Sequence, residues 1–287
     1  MSEAAPSSDN YCYRHPDRQS FVLCQRCGRT ICPECQTTAA VGVHCPECVK
    51  EGRQSMPRTR PAIVTSLRRV GRSDSPVVTY SIIAACVIVY VAELFTGGIP
   101  GGSVYQALAY YPPLTAIEPW RMITSVFVHL SILHILFNMY SLFIFGPMME
   151  RMLGRLRFAA LFLLAGFGGS VGVLLIAPNT VVAGASGAIF GLLGAFFVIQ
   201  RHLGGNNAQL LIVIGLNLVI GFVVPGIAWQ AHIGGLIVGA LVALIFVRTR
   251  DRRRRPMQLM LLGGTLAVLV VVTVAGSALL GSRLLTG

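Results

Sequence analysis

Six runs of about 17 to 25 mostly apolar residues, 77–95, 156–177, 184–200, 208–226, 229–247 and 257–281, leave this chain few folds to choose from. As helices rising 1.5 Å per residue they cover most or all of the ~30 Å of hydrocarbon in a bilayer, where a backbone must satisfy its own polar groups. A seventh run, 134–149, is apolar apart from His134 and Asn138. With 54% apolar residues, 12% charged residues and a mean hydropathy of +0.69, the chain is too greasy for a soluble protein of 287 residues. The expected fold class is an all-α polytopic membrane protein, a bundle of seven transmembrane helices.

The net charge of +12 raises nucleic acid as a partner, but its placement points elsewhere. Eleven Lys/Arg precede residue 77, three lie between the second and third spans (Arg151, Arg155, Arg157), Arg201 follows the fourth, and six fill the stretch 248–255. Only Arg121 and Arg283 fall in the alternate segments. Cytoplasmic loops collect Lys and Arg, so this alternation predicts a plasma-membrane protein with its amino terminus in the cytoplasm and, after seven spans, its carboxyl terminus outside. The basic balance reads as topology first and as binding to anionic lipid second; the lipid bilayer is an expected partner, and nucleic acid is not. No charged-then-apolar start and no small-residue cleavage site precede the first span, so no secretory signal peptide is expected. With 22 Arg against one Lys and abundant Ala, Gly and Val, the composition points to a high-GC bacterial source.

Seven of the eight cysteines crowd into residues 12–48, in four C-x-x-C or C-x-x-H pairs: Cys12/His15, Cys24/Cys27, Cys32/Cys35 and Cys45/Cys48. Eight donors suffice for two tetrahedral zinc ions. Disulfides are the competing use, but thiols stay reduced on the cytoplasmic side. The stretch resembles a B-box-type zinc finger, whose pairs interleave. That resemblance implies one Zn2+ on Cys12, His15, Cys32 and Cys35 and a second on Cys24, Cys27, Cys45 and Cys48, with His44 an alternative to Cys45. Four protein ligands leave zinc no open position, so both ions are expected to be structural, and the head to bind a cytoplasmic protein partner or simply stay folded.

Polar groups inside spans are costly and mark function by default. The loop charges orient three spans from outside to inside, those carrying His134, Ser186 and His232 near their starts, and Asn138 lies one turn below His134 on the same face. Four polar groups on three helices therefore share a depth near the outer side. Gly187-x-x-x-Gly191 and Gly235-x-x-x-Gly239 are small-residue stripes that let helix backbones approach, either each other or a second copy of the chain. Close approach of the fourth and sixth spans brings a hydroxyl to an imidazole. The fourth span is short, so residues 177–182 are expected to dip inward as irregular backbone and leave a wet recess.

The segments 118–146 with Trp120-Arg121 and H-x-x-x-N, "MERMLG" (149–154), "GASGAIFG" (184–191) and "AHIGGLIVG" (231–239) resemble, in order, the motifs of rhomboid intramembrane serine proteases. The resemblance covers residues 77 to about 250. It implies a rhomboid-like helical bundle in which Ser186 is the nucleophile, His232 the general base, and His134 and Asn138 part of the oxyanion hole. Gly184, Gly187, Gly235 and Gly239 support these groups, and Phe190 stands one turn after Ser186 where some relatives have Tyr. Met152 departs from the family, many of whose members have Arg there. The last span is similar to the extra seventh helix of some bacterial members. The substrate class implied is a single-span membrane protein cut near the outer face at a small residue, where its helix unwinds.

No Asp or Glu lies in the fourth to sixth spans, so the expected constellation is a dyad rather than a triad. Ala188 breaks G-x-S-x-G, which argues against soluble esterase chemistry. A non-catalytic rhomboid-like binder or chaperone of membrane proteins is the alternative, and such forms typically lack the nucleophile or the base. The expected organisation is a disordered 1–11, a zinc-binding 12–48, a basic linker 49–76, a six-span core 77–250, and a basic loop with the seventh helix, 251–287.

Overall fold

A computed structural model describes residues 10–39, 42–55 and 75–286. The chain divides into two compact units, Met1–Ser73 and Asp74–Gly287.

In the first unit, β1 (Tyr11–Cys12) pairs antiparallel with β2 (His15–Gln19), β3 (Thr37–Thr38) pairs with β4 (Val43–His44), and α1 spans Pro46–Ser55. Its buried apolar centre is six cysteines and Ile31, with Tyr13 and Val43 packed on them. One aliphatic side chain is too little apolar surface to fold a unit of this size. Tyr11 already belongs to a strand, and α1 runs through residue 48, the expected boundary. The expected linker residues 56–74 lie outside the described residues, as do residues 1–9.

The second unit is helical, and all seven apolar runs form helices. These are α2 (Val77–Phe95), α5 (Ile132–Leu153), α6 (Arg155–Ile176), α7 (Ser186–His202), α8 (Ala208–Val223), α9 (Trp229–Arg248) and α10 (Arg255–Thr286). Two short helices, α3 (Ser103–Leu108) and α4 (Arg121–Thr124), lie in the segment joining α2 to α5. Among the described residues five helices, α2, α5, α6, α9 and α10, are long and apolar enough to cross a membrane. At 17 and 16 residues, α7 and α8 reach about 25 Å and 24 Å, short of a full hydrocarbon core. Exposed Leu, Val and Ile along α8 and α10 give these helices a surface that lipid tolerates and water does not.

The packed centre is α6, α7 and α9. A Cβ added at Gly235 would overlap the Gly187 carbonyl, and one at Gly239 the Gly191 carbonyl. Backbone thus lies on backbone across α7 and α9, which only glycine allows. The two stripes pack on each other within one chain. On the other side of α9, a Cβ at Gly234 would strike Gly168 O on α6. Gln258 at the start of α10 accepts from Arg157 Nε (2.9 Å) and donates to Thr249 Oγ1 (2.7 Å), tying the last helix to α6 and to the end of α9.

Polar groups close the remaining joints. Glu150, buried in α5, accepts from the backbone N–H of Val78 (3.0 Å) and Thr79 (2.7 Å) and from Thr79 Oγ1 (2.8 Å). A carboxylate there satisfies orphan donors of the first turn of α2 and complements its dipole. Arg121 is buried and bonds to Glu118, Gln106 O and Ala109 O (3.0 Å), which holds the α2–α5 segment together. The irregular stretch after α6 is pinned by an antiparallel bridge between Tyr110 and Val182, with N–H···O distances of 2.9 and 2.8 Å.

Replacing Glu150 by Ala leaves those N–H groups and the Thr79 hydroxyl without an acceptor, at about 1–3 kcal/mol for a buried orphan. Glu150→Ala is therefore expected to lower the unfolding free energy in mixed detergent by about that amount, with Glu150→Gln losing less because one oxygen remains. Equal stability of Glu150→Ala and wild type, measured by denaturation monitored through circular dichroism, contradicts the capping role.

Candidate active site

Ser186 is the first residue of α7. The chain reaches it through Gly184, whose φ of +123° is closed to most side chains and whose N–H donates to Ser125 O at 2.8 Å. As the first helical residue, Ser186 also presents a backbone N–H that has no acceptor within its helix. His232 lies in the first turn of α9 and is 7% exposed. The glycine contacts between the two helices bring His232 Nε2 to 3.0 Å from Ser186 Oγ.

No carboxylate orients this imidazole: His232 Nδ1 is buried without a hydrogen-bond partner among the described residues. Packing holds it instead. The Phe190 ring lies parallel to it, with centroids 4.1 Å apart and planes inclined by 6°. Gly221 of α8 lies beside Nδ1, where a Cβ would come within 3.5 Å of that atom. The Phe222–Trp229 stack, 4.4 Å between centroids, continues that contact between α8 and α9. Gly221 was not legible as a site residue, since nothing in the sequence of α8 marks which face meets His232.

His134 sits in the first turn of α5, whose N-cap Ser131 accepts from the His134 N–H at 3.2 Å. Leu130 N–H donates to His134 Nδ1 at 3.3 Å, which assigns the ring proton to Nε2. That nitrogen faces Gly184, where a Cβ would come within 2.7 Å of it. Asn138 is buried one turn on, and its Nδ2 donates to His134 O at 2.9 Å. An amide nitrogen carries two N–H donors, so this bond leaves one for a ligand. Two ionisable residues missed by sequence reasoning lie close by: Glu93 of α2 and His129, both fully buried. The rings of His129 and His134 are 5.2 Å apart. The available signal was a lone acid inside the run 77–95.

In the first unit, the donor atoms of Cys12, His15, Cys32 and Cys35 lie within 4.8 Å of one another, as do those of Cys24, Cys27, Cys45 and Cys48. His44 belongs to neither group. His15 Nδ1 is 3.8, 3.4 and 3.5 Å from the three sulfurs of its group, and Cys27 Sγ is 3.7 Å from Cys45 Sγ. Donors spaced in this way, nearly all buried, suit the edges of a tetrahedron with metal–sulfur bonds near 2.3 Å, so both groups could hold a metal ion. Burial works to raise the Cys12 and Cys24 thiols, but backbone N–H donors outweigh it and hold both at about 6. Burial pushes Cys35 up to about 11 and Cys48 up to about 12. Binding a metal at either group therefore releases protons.

A Rhomboid domain model matches residues 116–249. The chain is 37% identical over 142 residues to the putative rhomboid protease YdcA of Bacillus subtilis, covering 47% of this chain and 71% of that relative. It is 35% identical over 181 residues to the rhomboid protease GluP of the same organism, covering 61% of this chain and 36% of the relative. It is also 35% identical over 137 residues to RHOMBOID-like protein 6, mitochondrial, of Arabidopsis thaliana, covering 45% and 44%. The last two alignments thus span less than half of the relatives they match.

Proposed function

The chain belongs to the rhomboid family, and from that premise we propose that it is an intramembrane serine endopeptidase working through a Ser186–His232 dyad. The observation that carries the reading is the 3.0 Å contact of Ser186 Oγ with His232 Nε2 inside a bundle of apolar helices. Neutral His232 carries its proton on Nδ1 and accepts the Ser186 proton at Nε2 as Oγ adds to the scissile carbonyl. The tetrahedral oxyanion takes hydrogen bonds from the Ser186 backbone N–H, from His134 Nε2–H and from the second N–H of the Asn138 amide. Collapse passes the proton from His232 to the leaving amine, and a water activated by the same imidazole then frees the acyl group from Ser186. With no acid behind it, the imidazole depends on Phe190 and Gly221 for its orientation.

Rhomboid proteases act on transmembrane substrates. For this chain we read the substrate as a single-span protein whose helix unwinds at a small residue near the outer face, because the loop charges place the starts of α7 and α9 on that side of a plasma membrane. The same rule puts the cysteine-rich head in the cytoplasm, with two structural Zn2+ ions, one on Cys12, His15, Cys32 and Cys35 and one on Cys24, Cys27, Cys45 and Cys48. The interleaved donor groups, six of their eight residues buried, support that pairing. Bound there, zinc supplies the folding energy that a single buried isoleucine cannot. The domain scheme that follows is a head from about residue 11 to the end of α1, a linker, a six-helix core and a seventh helix.

Ser186→Ala and His232→Ala are each expected to abolish cleavage of a model transmembrane substrate while leaving insertion and unfolding midpoint unchanged. His134→Ala and Asn138→Ala are expected to lower kcat by roughly 10- to 1000-fold with little change in KM, since their bonds form only as charge develops. Near-normal turnover by purified Ser186→Ala refutes the dyad, and a change confined to KM makes His134 and Asn138 binding residues.

Elemental analysis of the reduced, full-length chain should find close to two zinc per chain. Cys35→Ser and Cys48→Ser should each remove one, and chelation should leave cleavage of a small model substrate unaltered. Less than one equivalent in the wild type refutes the two-ion reading.

A further inference from the structure

We propose that Glu93 is a positioning residue for His134, acting through the main chain of residues 129–130; this rests on His134 being an oxyanion donor. Glu93 is the one acid in α2 and is fully buried in its last turn. Burying a carboxylate among apolar helices is expensive unless something is gained. Its Oε2 accepts from His129 N–H at 3.4 Å, while Glu93 Oε1 and His129 Nε2 are both buried without a partner among the described residues.

The segment it holds enters the candidate site twice. At one end Ser125 O accepts from Gly184 N–H at 2.8 Å, two residues before Ser186. At the other, Leu130 N–H donates to His134 Nδ1 at 3.3 Å, keeping the ring proton on Nε2, the atom that faces Gly184. Glu93 thus fixes the peptide immediately before the donor that sets the His134 tautomer. His129 adds its ring beside His134 and turns Nδ1 to Phe127 O at 3.2 Å. Without the carboxylate, Leu130 N–H drifts, His134 is free to place its proton on Nδ1, and Nε2 becomes an acceptor facing the oxyanion. Hydrogen-bond partners that orient metal-binding histidines typically contribute about 10- to 100-fold, and the same scale is taken for His134.

The test is steady-state cleavage of a transmembrane substrate by the full chain. Glu93→Met, matched in volume, should lower kcat by about 10- to 100-fold at unchanged KM. Glu93→Gln should restore most of it, because its amide oxygen can accept from His129 N–H and its NH2 can donate to His129 Nε2. In a His134→Ala background, Glu93→Met should cost less than about 2-fold, since the group it positions is gone. If Glu93→Met does not fold, Glu93→Asp, which keeps the charge but withdraws the oxygens, is expected to show the same kcat loss and the same silence beside His134→Ala. An equal loss in both backgrounds, a loss confined to KM, or Glu93→Gln as damaged as Glu93→Met overturns the proposal. Cleavage surviving in Ser186→Ala would fell the protease reading instead, and is scored separately.

Discussion

The contact of α7 with α9 through Gly187, Gly191, Gly235 and Gly239 is the constraint on which the second unit depends. With no hydrophobic effect between helices in lipid, close backbone packing is the main attraction available, and four hydrogen atoms in place of side chains make it possible. The same approach sets the distance from Ser186 to His232, one residue before Gly187 and three before Gly235. Stability and the candidate chemistry therefore share their determinants. A larger residue at Gly235 would push the helices apart and separate hydroxyl from imidazole together.

An imidazole without a carboxylate partner has to be oriented by shape. Phe190 on one face and Gly221 beside Nδ1 do this for His232, while a polar chain from Glu93 through residues 129–130 does it for His134. Apolar packing on one side and a buried acid on the other amount to two ways of fixing a ring in a medium that charges little for apolar contact and heavily for loose polar groups.

Much of this was legible in the sequence because its determinants are local. Apolar runs gave the helices, and Gly-x-x-x-Gly spacing pointed to the close pair. What was not legible depends on tertiary placement. Periodicity does not say that Asn138 donates one amide N–H to its own helix, that Glu150 caps α2, or that Glu93 accepts from His129 N–H. Element ends were legible only in part: the shortness of the fourth run was visible, but that α8 stops at Val223, ahead of Pro225 and Gly226, was not, and among the described residues five helices reach spanning length. In the head, the paired Cys and His spacing gave the donors, with Cys45 already preferred to His44, while the run of α1 past residue 48 needed coordinates.

The central claim is that His232 activates Ser186 and no other hydroxyl, and covalent labelling reads this without a substrate. Wild-type protein treated with a fluorophosphonate and mapped by mass spectrometry is expected to carry one adduct, on Ser186, and His232→Ala to carry none on the same timescale. An adduct on a different residue, or labelling of His232→Ala at the wild-type rate, contradicts it.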